Sequence, residues 1–197
     1  MGAIWNQAPE NDANQIPGTG WFVAHQNTPT DGWWIIQDIF DGSVHYQFAF
    51  AKRSNSGVLG GTIVQRNKQE QNDWGPWEWV NPPMGLGTEY RTTERYFSKP
   101  VYVKTINMGN LPGNVVKQAS FQSNNVVDKI VSVTGQCTSD SGVNISLPYH
   151  AGSAPNWNTV ILIGATGVGT AQIVTFNEEF AGYTDARITV KYTKLVD

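Results

Sequence analysis

The side chains able to do chemistry are few and scattered. His25, His45 and His150 share no metal-ligand spacing. His45 falls inside an alternating apolar run, on the face opposite Phe48 and Phe50, which predicts a solvated or locally satisfied imidazole. A Ser/His/Asp triad can assemble from distant residues, but the chain has no Gly-x-Ser-x-Gly elbow. Gly164-Ala165-Thr166-Gly167-Val168-Gly169-Thr170 superficially resembles a phosphate loop. It lacks the Lys-Ser/Thr ending and no helical pattern follows, so a hairpin turn is expected. The close carboxylate pairs are Glu178 with Glu179, Glu89 with Glu94, and Asp38 with Asp41. Glycoside cleavage needs two carboxyls about 5 Å or 6.5–9.5 Å apart across a cleft. Glu178 and Glu179, read as strand neighbours, would point to opposite faces. Solvated loop carboxylates are the expectation, with no catalytic residue, metal or cofactor assigned.

Aromatic and amide side chains carry more information. Trp74-Gly75-Pro76-Trp77-Glu78-Trp79 sets Trp77 and Trp79 on one strand face, with a Gly-Pro turn separating Trp74. Such rings bind sugar faces while nearby amides match hydroxyls. In a β domain most Trp are core, and Trp33, Trp77 and Trp79 are expected there. Trp157 lies in Ala151-Gly152-Ser153-Ala154-Pro155-Asn156-Trp157-Asn158, a segment of loop composition where an indole meets solvent, a ligand or a neighbouring chain.

The scaffold must be β. Of 197 residues, 20 are Gly and 10 Pro, and apolar residues recur in short runs rather than at helical spacing. Val44, Tyr46, Phe48 and Phe50 alternate on one face, and Asp41-Gly42 before them is a hairpin signal, since Gly accepts the positive φ of the turn. Further strands are expected at 100–107, 115–121, 127–134, 142–148, 159–163, 171–176 and 186–192, in a sandwich or jelly roll. Only 15% of residues are charged, against the usual ~25%. The remaining polarity comes from 17 Asn, 12 Gln, 17 Thr and 11 Ser. With 40% hydrophobic residues this is a folded chain whose surface is amide and hydroxyl rather than ionic. A net charge of -3 argues against nucleic acid as partner. No run reaches the ~18 apolar residues of a membrane span, and the N-terminus lacks signal-peptide character. The lone Cys137 excludes an intrachain disulfide and reads as a buried strand-end thiol.

Seven of eight Trp precede residue 80, and the halves on either side of Gly87 carry charges of -4 and +1. Between them, Asn81-Pro82-Pro83-Met84-Gly85-Leu86-Gly87 can continue neither a helix nor a central strand. Two domains are therefore expected: 1–87, a small aromatic-rich antiparallel β domain, and 88–197, a β-sandwich or jelly-roll-like head.

Thr62-Ile63-Val64-Gln65-Arg66 followed by Trp74-Gly75-Pro76-Trp77-Glu78-Trp79 resembles the pyocin-knob module of phage tail fibres and related bacteriocin fibres. Residues 88–197 are similar to the terminal domain of phage tail and baseplate receptor-binding proteins. That likeness is carried by Lys99-Pro100-Val101-Tyr102-Val103-Lys104-Thr105-Ile106, Gly109-Asn110-Leu111-Pro112 and Ala186-Arg187-Ile188-Thr189-Val190-Lys191-Tyr192. Arg95-Tyr96-Phe97-Ser98 and Asn107-Met108 depart from that pattern. The resemblance implies a virion tail-tip or fibre component, a homotrimer that binds a host cell-surface polysaccharide alongside other tail or baseplate proteins, without membrane insertion. A glycan-cleaving tail enzyme and a structural spacer of a longer tail protein are the competing expectations.

The ligand-binding candidates are loop groups of the second domain, His150, Asn156, Trp157, Asn158, Tyr183 and Asp185, with Trp74 in the first. They combine an aromatic platform with amide and carboxylate hydrogen-bonding groups, in segments expected at one end of a sandwich.

Overall fold

The computed structural model describes residues 6–52, 61–69, 72–123, 125–150, 158–164 and 169–197. The architecture is all-β, and the described residues outside strands form turns and three short 3₁₀ segments. Two compact units emerge: Met1–Pro83 with Arg91–Thr93, and Met84–Tyr90 with Glu94–Asp197.

The first unit is built on β1 (Asn6–Gln7), β2 (Gly20–Ala24), β3 (Trp34–Phe40), β4 (Val44–Ala51), β5 (Ile63–Gln69) and β6 (Glu78–Trp79). β1 runs parallel to β2, and β2 through β6 pair antiparallel in chain order. The Asp41-Gly42 hairpin forms as expected. Asp41 Oδ1 accepts the amides of Ser43 and Val44, which hold its carboxyl below the usual range, and Gly42 takes φ +98°.

Which face is buried differs from the simple apolar alternation. The inward row of β4 is Gln47 and Ala49, while Val44, Tyr46, Phe48 and Phe50 share the opposite, more open face. The reason lies outside the strand. The N-terminal turns lay Ala8, Ala13 and Ile16 against Phe22, Trp34, Ile36, Ala49 and Val64, closing a core on that side. The indole at its centre is Trp34, at 0% exposure, with Ala24 and Ala51 opposite it in register making room. The three expected core indoles all stay partly exposed. Trp77 and Trp79 pack on the core, and Trp33 stands edge-on to His25.

The second unit is a sandwich. One sheet runs in the order β8 (Lys99–Gly109), β14 (Ala186–Lys194), β10 (Val127–Thr138), β11 (Asn144–Leu147). The other runs β12 (Thr159–Ile163), β13 (Thr170–Thr175), β9 (Val116–Ser120). β7 (Glu89–Tyr96) precedes β8 and has its middle residues in the first unit. All seven expected strands of this half are present, with ends shifted by a few residues. Ile106, Ile188, Val190 and Tyr192 of one sheet share a core with Ala171 and Ile173 of the other. Gly135 lets the sheets approach: a Cβ there would lie 3.0 Å from Leu147 Cβ and 3.2 Å from Ile161 Cδ1. Cys137 is fully buried in β10, and burial pushes its thiol up to about 11. Glu178 and Glu179 are not on a strand. They open a 3₁₀ turn (Glu178–Gly182) capped by Asn177, whose side chain accepts the amide of Glu179 at 2.9 Å. Residues 165–168, where a hairpin turn is expected, lie outside the described residues; β12 and β13 on either side pair antiparallel.

Candidate functional site

A concavity of the second unit sits on the outer face of the β8–β14–β10 sheet. Strand register places Thr105, Thr189 and Thr134 side by side, and Asn107, Arg187 and Gln136 in the next row. Thr105 and Thr189 hydroxyls are 2.9 Å apart. The wall comes from the Pro/Gly segment before β7. Leu86 bridges to Thr105 in parallel, and the Gly87 amide donates to the Thr105 carbonyl at 2.8 Å. Met84 reaches the same groove from a positive-φ position (+56°). The cavity measures about 370 Å³ and combines these two apolar side chains with hydroxyl, amide and guanidinium groups. Asp185 pairs with Arg187, whose Nε and Nη2 donate to its two carboxylate oxygens at 3.0 and 2.6 Å. This bidentate fork fixes the plane of the guanidinium at the groove.

Among the described residues, no carboxylate lines this groove and no His/Cys/Asp/Glu cluster could hold a metal. The groove's groups donate and accept hydrogen bonds and offer an apolar contact. That suits an uncharged polyhydroxylated molecule.

The described candidates of the second unit, His150, Asn158, Tyr183 and Asp185, are not among the residues that line this groove. Asp185 meets it only through Arg187. His150 and Asn158 bond to each other, Nδ1 to Oδ1, across an isolated antiparallel bridge. Tyr183 follows the 3₁₀ turn, with its ring 5.9 Å from Phe180 and packed on the core. Burial, with Cys137 and Tyr149 nearby, pushes its hydroxyl up. Asn156 and Trp157 lie outside the described residues. The threonine rows are silent in the sequence because Thr is an ordinary strand residue. Met84 and Leu86 are silent because their segment has the composition of a linker; the apolar Met-x-Leu spacing is the one available signal.

Trp74 takes part in a different construction, on the buried face of the first unit. Asp38, Gln47 and Arg66 are register neighbours on β3, β4 and β5. Gln47 Nε2 donates to Asp38 Oδ2 (2.9 Å) and the Ala13 carbonyl (2.8 Å), and Arg66 Nε donates to Gln47 Oε1 (2.9 Å). His45 Nδ1 lies 3.0 Å from Asp38 Oδ1, a locally satisfied imidazole as expected. The Arg66 guanidinium lies between two indoles, 4.2 Å from the Trp74 centroid and 4.1 Å from that of Trp77. Burial pulls its pKa down to about 9 against the raising influence of Asp12 and Asp38.

No family model, curated protein or solved structure matches the chain. Function is therefore read from the geometry.

Proposed function

We infer that this chain is a noncatalytic receptor-binding protein of a phage tail fibre or tail tip, recognising a host cell-surface glycan. The observation that carries this reading is the groove of the second unit, where threonine hydroxyls, Gln136 and Arg187 face Met84 and Leu86. A sugar ring has the same two-sided character, with hydroxyls at its rim and C–H groups on its faces. The absence of any carboxylate among the described groove-lining residues favours binding over cleavage. The residues behind the pyocin-knob resemblance also meet in space, as Arg66 stacks between Trp74 and Trp77. A homotrimer suits a weak site, because linked sites raise avidity by ~10²-fold or more without new contacts.

The test is binding of the chain to purified bacterial envelope polysaccharides, with light scattering to give the assembly mass. Binding is expected to fall at least tenfold in Arg187→Ala and Thr189→Val, with no change in polysaccharide length. Shortening of the polymer would replace this reading with the tail-enzyme one. Binding by no envelope polysaccharide, with an assembled oligomer, would leave the spacer reading.

A further inference from the structure

The open face of the first unit's sheet carries aromatic rings and amides in strand register. Trp21, Gln37, Phe48 and Gln65 form one row across β2–β5, so that ring and amide alternate. Above it run Val23, Ile35, Phe50 and Ile63; below it Ile39, Tyr46 and Asn67. Trp21 and Tyr46 are 43% and 40% exposed, and the Trp21 ring lies 5.7 Å from that of Phe50. No residue of this face on β2–β5 is charged; the strands' charged residues Asp38, Arg66 and Lys68 stand on the opposite side.

We propose that this face is a platform for a neutral polysaccharide chain, lying along the ring–amide row. The proposal rests on the glycan-binding reading above and adds a second contact surface and a substrate class. Three observations select this occupant. First, an uncharged face has nothing to offer an anionic polymer and loses nothing by covering with a neutral one. Second, the alternate rings of the row stand two strand spacings apart, about 10 Å, the length scale of a disaccharide, with an amide between them to meet hydroxyls. Third, four strands about 4.8 Å apart and some 20 Å long make a patch on the order of 300–400 Å². That is well short of the roughly 800 Å² per partner that a stable contact between protein copies requires.

The full chain is run in native gels cast with dextran, galactomannan or a soluble β-glucan, and with polygalacturonate as anionic control. At least one neutral polymer is expected to retard it and polygalacturonate is not. Trp21→Ala and Tyr46→Ala are expected to weaken the retardation about fivefold to tenfold, as loss of one stacked ring implies. Leu162→Ala, an exposed change in the second unit away from both surfaces, is expected to leave it unchanged. Tyr46 is peripheral, so its variant decides should Trp21→Ala unfold. Retardation lost in Arg187→Ala but kept in Tyr46→Ala overturns the platform and leaves the groove standing. Envelope polysaccharides bound through the groove, with no neutral polymer retarding the chain, likewise overturn the platform alone. A mass that rises with concentration and is returned to the single chain by Tyr46→Ala assigns the face to self-association and overturns the proposal.

Discussion

Replacing Arg66 tests whether the buried polar row of the first unit stabilises it. Arg66 is 8% exposed, and burial, only partly offset by Asp12 and Asp38, brings its pKa from 12.5 to about 9, a net penalty of ~4–5 kcal/mol against the cation at 1.36 kcal/mol per pH unit. Opposing it are two indole faces near 4 Å, worth about 1–2 kcal/mol each, and a charged hydrogen bond to Gln47, worth about 1.5–3 kcal/mol. These nearly cancel, so removing the cation is close to neutral in itself. What remains is Gln47 Oε1, buried and stripped of its donor, at a cost of about 1–3 kcal/mol. Arg66→Met, which still fills the space between the rings, should therefore lose about 1–3 kcal/mol. Arg66→Lys should lose at least as much, because an ammonium is more strongly hydrated, lacks the planar stack and has no Nε to reach Gln47. Urea unfolding followed by tryptophan fluorescence is the assay, since seven of eight Trp lie before residue 80 and the signal reports on this unit. A lysine variant as stable as the parent would refute the reasoning, showing that bare positive charge, not the stacked fork, is what the site needs.

Two further outcomes follow from the second unit. Gly169→Ala should lose more than about 2 kcal/mol or fail to fold, because its Cβ would lie 2.0 Å from the Gln122 carbonyl oxygen, a backbone atom that cannot swing aside; far-UV circular dichroism in urea checks this, and unchanged stability would contradict the packing at that strand start. Burial alone would raise Glu89, but hydrogen bonds from Lys194, Tyr192 and Gln122 outweigh it and hold its carboxyl below the ordinary value. Its contribution is thus present above the unfolded carboxyl pKa and is lost as pH falls through the lowered folded value. Glu89→Gln should be about 1–2 kcal/mol less stable than the parent at pH 7. That gap should close below about pH 4; a gap independent of pH would mean the charge plays no part.

The β class, the strand segments of the second half and the Asp41-Gly42 hairpin were legible because they rest on local rules: alternation, β-branched runs and turn residues that tolerate positive φ. The buried thiol of Cys137 and the satisfied imidazole of His45 followed from strand context in the same way. Tertiary structure alone decided which face of β4 is inside. The inward face, with His45, Gln47 and Ala49, is the less apolar of the two, and it is inside because the N-terminal turns cover it, with Gln47 Nε2 donating to the Ala13 carbonyl and Ala49 packed in their core. The aromatic row left uncovered became the surface, and Trp34 rather than Trp33 became the central indole. The groove could not be read from the chain either. Its walls come from residues 84, 86, 105, 134–136, 187 and 189, joined by strand pairing over about half the chain length. Composition set what such a surface would be made of, hydroxyls and amides with few charges. Where they converge depends on strand register, a property of partners rather than of any one segment.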